Sequence, residues 1–212
     1  MRMSIPALII SIVLTAATDA RAIDSIPTGD MSEGVAINPE TRIAVTTNMG
    51  DGTLTVINLD ERQFLRTIQV GGTPAGPAID PTNNIVVFAD KADNTMVIWS
   101  LDDGGGELAR IGIGTNPSCV GLSPSAQVAV AANIEDNTVS VVDLATRTVT
   151  HTISVGAFPV CMHYIVNTAD MTAAVTNVAE GTVQLLDLVA GTVIRTIPVG
   201  NAPISASTNM RT

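Results

Sequence analysis

A repeat period of 42 to 44 residues, runs of β-branched residues five to seven long, and turn residues every 8 to 12 positions predict an all-β chain. The architecture they specify is a β-propeller of four-stranded antiparallel blades. Four complete repeats and a partial fifth are present, at about 30–71, 72–114, 115–156, 157–200 and 201–212. The period is read from the segment Val70 to Pro81, which returns at Ile113 to Pro124 and at Val155 to Val166 and begins again at Val199. A weaker copy runs from Thr28 to Pro39, with Ser32 in place of the proline. A second block opens at Asp51, Asp93, Asp136 and Glu180. Composition agrees: hydrophobic residues make up 46% of 212 residues but aromatics only 2%, so the core must be Val, Ile, Leu and Ala.

Taken in order, the first element is a targeting segment. Residues 1–22 begin with Met1, Arg2 and Met3, continue through an apolar run from Ala7 to Ala17, and close on Ala20-Arg21-Ala22. A charged start, a short apolar run and small residues at the cleavage positions make a signal peptide cut before Ile23. The alternative, a buried N-terminal helix, is disfavoured because the run lacks a polar face. The expected destination is the periplasm or the exterior. No later stretch is long and apolar enough for a transmembrane helix, so the sequence predicts no membrane insertion after cleavage.

Residues 23–212 form the repeat domain. In each repeat the first strand follows the proline, as in Gly76 to Ile79. The second ends on Asn48, Asp90, Asn133 or Asn177, and the third carries the Thr-led block. The fourth ends at Gly71, Gly114, Gly156 or Gly200. Asp-Gly, Asp-Asn and Glu-Gly between the second and third strands suit tight hairpins, because Gly and Asn tolerate positive φ. The glycine closing each fourth strand is expected to take positive φ as well, with the proline three residues on stiffening the crossover. The segments Ile23 to Gly29 and Ile204 to Thr208 read as a lone fourth and a lone first strand.

These residues resemble the YVTN β-propeller repeat of exported bacterial proteins and archaeal surface-layer proteins. The strand end that names the motif is matched at Val45-Thr46-Thr47-Asn48, Val130-Ala131-Ala132-Asn133 and Val175-Thr176-Asn177, without its tyrosine. The block from Asn137 to Asp143 is almost literal, and that from Ile197 to Pro203 is literal. The resemblance covers 28–208 and implies rings of about seven blades. The chain therefore reads as part of such a ring, or as an open array completed by another copy. Apolar end faces predict self-association.

The chemistry is sparse. A net charge of -10 and a pI near 4.4 disfavour nucleic acid and anionic lipid as partners. No haem-attachment, P-loop, zinc-protease or EF-hand motif occurs, and no cofactor is implied by the residues. Gly121 to Ser125 is a strand-end turn rather than a nucleophile elbow, and Asp102 to Gly106 is an acidic loop that would repel phosphate. His151 falls on an outer strand. Cys161 and His163, two residues apart on one strand, form a candidate channel site, for a metal of unknown kind or simply a packed polar pair. Cys119 and Cys161 share a register in consecutive repeats, and rotational symmetry points their side chains the same way round the ring, so two thiols are expected rather than a bridge.

The distributed candidate comprises Asn48, Asp90, Asn133 and Asn177 with Asp51, Asp93, Asp136 and Glu180 three residues later. Meander geometry places them with the Gly-x-x-Pro loops on one rim, either as repeated turn chemistry or as an acidic face for a basic partner. The function this supports is a non-enzymatic exported scaffold binding a protein, an envelope component or a small ligand on its loop face. The alternative that the resemblance implies is a lactonase-like enzyme, or a propeller subunit of a haem or quinone oxidoreductase.

Overall fold

The computed structural model describes residues 25–160 and 170–205; residues 1–22, expected from the sequence to be a signal peptide, lie outside them. Sixteen strands, with no helix among the described residues, make four antiparallel sheets, each from four strands consecutive in sequence. Blade 1 holds β1 (Ser32–Asn38), β2 (Ile43–Asn48), β3 (Thr53–Asn58) and β4 (Gln63–Gln69). Blade 2 holds β5 (Pro74–Asp80), β6 (Ile85–Asp90), β7 (Thr95–Ser100) and β8 (Glu107–Gly112). Blade 3 holds β9 (Pro117–Ser123), β10 (Val128–Asn133), β11 (Thr138–Asp143) and β12 (Thr148–Ser154). Blade 4 holds β13 (Pro159–Val160), β14 (Thr172–Asn177), β15 (Thr182–Asp187) and β16 (Thr192–Pro198). The first strands thus begin at the proline or Ser32 itself, not after it.

The burial pattern explains why these strands lack simple alternation. A blade between two neighbours hides both faces, so β6 is buried along its whole length and reads as a continuous apolar run. The outer strands β4, β12 and β16 have mostly exposed residues and alternate. Every blade also carries one bulge where its third strand meets its fourth, at Val56/Ile57, Ile98/Trp99, Val141/Val142 and Leu185/Leu186. The extra residue points away from the ladder, which accounts for the exposure of Leu65, Leu108 and Ile194.

Three apolar clusters bind consecutive blades. Val45, Leu54 and Val56 of blade 1 meet Val86, Phe88 and Val97 of blade 2. Val87, Met96 and Ile98 meet Ala129, Ala131 and Val142 of blade 3. Val130, Val139 and Val141 meet Ala173, Val175 and Leu186 of blade 4. Among the described residues no cluster joins blade 4 to blade 1.

The turns partly depart from the sequence reading. Gly52, Asn94, Asn137 and Gly181 have positive φ at the second hairpin of each blade, as expected. Gly71 and Gly200 do too, but Gly114 and Gly156 do not; there Asn116 and Phe158 carry the left-handed conformation, just before the proline. Gly114 is required for space instead: a Cβ would lie 2.6 Å from Asn133 Cγ and from Asp136 Oδ2. Residues 25–29 form no strand, and neither do Ile204 and Ser205, so the lone end strands are not present among the described residues.

Candidate functional site

The rim is assembled by a lock that repeats from blade to blade. Asn48 ends β2 with its side chain fully buried, and its Nδ2 donates to the hydroxyls of Thr53 and Thr55, each at 2.9 Å. Asn133 does the same to Thr138 and Ser140, and Asn177 to Thr182 Oγ1 and Gln184 Oε1. An asparagine with acceptors five and seven residues later thus pins the second strand to the third. The signal is visible in the sequence as spacing, yet it names a lock and not a ligand.

The acid three residues on pins the loop that enters the blade. Asp51 Oδ2 accepts from the Asp30 backbone N–H at 2.6 Å, Asp136 Oδ2 from Thr115 at 2.6 Å, and Glu180 Oε1 from Ala157 at 3.0 Å. The acids and the Gly-x-x-Pro loops therefore do share one rim. The eight candidates divide accordingly. Asn48, Asp90, Asn133 and Asn177 are buried with no exposed surface, whereas Asp51, Asp93, Asp136 and Glu180 face solvent.

Blade 2 uses a different arrangement. Asp90 stands where the other blades have asparagine, and its carboxylate accepts from the Thr73 and Ala92 N–H groups and pairs with Arg110 Nη1 at 2.8 Å. Arg110 occupies the register position held elsewhere by Thr67, Thr152 and Thr196. It also meets Asp93 at 3.3 Å and Glu107 at 2.9 Å. The hydrogen bond to Glu107, opposed by partial burial and supported by Asp90, raises its pKa above the ordinary arginine value. Asp93 is thus engaged by a side chain rather than by a loop N–H. Nothing in the composition identifies this pairing, since Arg110 lies on the fourth strand, twenty residues from Asp90.

Cys161 and His163 lie outside the described residues. Cys119 is buried in β9, and His151 lies on β12 against Gly191 of the next blade. Ser123 ends β9, and its hydroxyl accepts from the Ala126 N–H, so Gly121 to Ser125 is a strand end running into a turn. An open groove beside blade 1 is lined by Pro27, Thr53, Thr55, Phe64, Thr67 and Gln69. Among the described residues no three His, Cys, Asp or Glu side chains gather as metal ligands, and no helix is long and apolar enough to cross a membrane.

Repeated four-stranded antiparallel sheets packed face to face define the chain as a β-propeller protein. No protein-family model and no curated protein matches it in sequence. Among solved structures it is similar to a chain of Kuenenia stuttgartiensis Hydrazine Synthase, with a TM-score of 0.70 and 15% identity over 87% of this chain. This chain spans 52% of that one. At this identity the likeness is one of fold.

Proposed function

We propose that the chain is a non-enzymatic, exported binding scaffold of the YVTN type, whose loop rim holds a basic protein, an envelope component or a small cationic ligand. The observation that carries this reading is the rim: four exposed acids in equivalent positions, three of which accept a backbone N–H of the loop entering their blade. Rigid loops carrying like charges lower the ordering cost of recognition and attract cations from a distance. A lysine-rich peptide is the probe. Its binding should weaken about tenfold, with a shallower salt dependence, when Asp51→Asn, Asp93→Asn, Asp136→Asn and Glu180→Gln are combined. Equal affinity and equal salt dependence in both proteins would remove the rim from the reading.

A second reading, a propeller working inside an enzyme, is favoured by the likeness of fold to a chain of an enzyme. Fold alone carries no chemistry. Lactone turnover by the purified chain that disappears on His163→Ala would replace the scaffold by this alternative.

A further inference from the structure

Three crossovers carry the chain along the rim from one blade to the next, and the residue just before the proline is Thr73, Asn116 or Phe158. The crossover from blade 3 to blade 4 is held from both sides. The Phe158 N–H donates to Asn137 Oδ1 of blade 3 at 3.0 Å, and its carbonyl accepts from the Val178 N–H of blade 4 at 3.1 Å. Ala157 and Gly156 donate their N–H groups to Glu180 Oε1 and Gln184 Oε1. These bonds seat Phe158 between two hairpins, one carrying Asp136 and the other Glu180, and both acids are exposed. Phe158 itself is 48% exposed, although the core accepts a phenylalanine in full at Phe88. Its φ of 58° is a left-handed conformation that a bulky side chain adopts at a cost. Packing does not account for a ring here.

Charge is spread unevenly along the same rim. Lys91 and Arg110 of blade 2 pair with Glu33, Asp90 and Asp93, whereas Asp136 and Glu180 join no ion pair among the described residues. Each of these two acids spends one carboxylate oxygen on a backbone N–H, Asp136 Oδ2 on Thr115 and Glu180 Oε1 on Ala157, and keeps the other for a ligand. We propose, resting on the acidic-rim reading above, that Phe158 with Asp136 and Glu180 on its two sides is a subsite for an arginine side chain of a protein partner. A planar guanidinium can lie on an aromatic face while its N–H fork donates to carboxylates beside it. A lysine ammonium brings the same charge but is more strongly hydrated and cannot stack, so the subsite selects arginine over lysine. The other two crossovers lack the ring, and at the crossover from blade 2 to blade 3 Asp93 is already met by Arg110 at 3.3 Å and Glu135 by Asn116 Nδ2 at 3.4 Å.

Hexa-arginine and hexa-lysine, titrated into the full chain by calorimetry at low salt, carry equal charge and separate the subsite from the rim. The wild type should bind hexa-arginine about threefold to fivefold more tightly than hexa-lysine. Phe158→Asn should remove that preference while leaving hexa-lysine affinity and its salt dependence unchanged. Asparagine takes the same backbone angle at Asn116, so the fold should survive, and unchanged circular dichroism and thermal transition check this. Phe158→Gly, which also tolerates the angle, should behave as Phe158→Asn does, and Phe158→Tyr should retain the preference. Equal affinity of the wild type for the two peptides, or a preference that survives loss of the ring, would overturn the subsite and leave the acidic rim standing. Binding of neither peptide would overturn both.

Discussion

At the scale of single residues, the rim asparagines show how one atom decides the effect of a substitution. Ser32 Oγ lies 2.8 Å from Asn48 Oδ1 and supplies the donor that this buried oxygen needs. Pro117 and Pro159 hold the same position in blades 3 and 4, and there Asn133 Oδ1 and Asn177 Oδ1 meet no partner among the described residues. Ser32→Ala would leave Asn48 in the same state, so urea unfolding should show a loss of about 1–2 kcal/mol. Gly114→Ala tests the neighbouring contact. Its Cβ would strike Asn133 and Asp136, both held by hydrogen bonds, and stability should fall by about 1–3 kcal/mol. Gly106 has open space around its Cβ site, so Gly106→Ala should stay within about 0.5 kcal/mol and serves as the control.

At the scale of elements, blade 2 replaces a neutral lock with a charged one, and the two should not be interchangeable one residue at a time. Arg110→Thr alone strands the Asp90 carboxylate, which has no exposed surface, and should cost about 3–5 kcal/mol in denaturant unfolding. Adding Asp90→Asn removes the buried charge and leaves Thr95 as an acceptor, with Val97 where the other blades have a second one, and should recover part of that loss. The hairpins between third and fourth strands have their own chemistry. Asp143 accepts the Thr146 N–H at 2.7 Å, and this backbone bond lowers its pKa below the usual carboxylate value. A carboxylate with a depressed folded pKa contributes stability above its unfolded pKa, near 4, and loses it as the pH falls through the folded one. Asp143→Asn keeps the turn acceptor but does not titrate, so its melting temperature should fall less steeply below pH 4 than that of the wild type.

These same elements mark what was legible in the sequence. The strands and their order follow from β-branched runs and from Asp-Gly and Asp-Asn turns, because those signals are local. The first hairpin of each blade was harder to read: Arg42, Asn84, Gln127 and Met171 take positive φ there, and arginine, glutamine and methionine carry no turn signature. The rim acids were found by register, but the burial of Asn48, Asp90, Asn133 and Asn177 depends on strand pairing and neighbouring blades. The pairing of Arg110 with Asp90 depends on the fold of an entire blade.

At the scale of the whole molecule, stability is distributed by neighbours rather than by a common centre. Among the described residues, blades 2 and 3 each share an apolar cluster on both faces, while blades 1 and 4 share one on a single face. In such an array each junction stabilises only the two blades it joins, so an end blade opens at lower cost than an inner one. Amides of β15 and β16 should therefore exchange faster than their register equivalents in β11 and β12 when the protein is dilute. Hydrogen exchange followed by mass spectrometry reads the difference, and equal protection of the inner and the end blades would show that the four blades are stabilised alike.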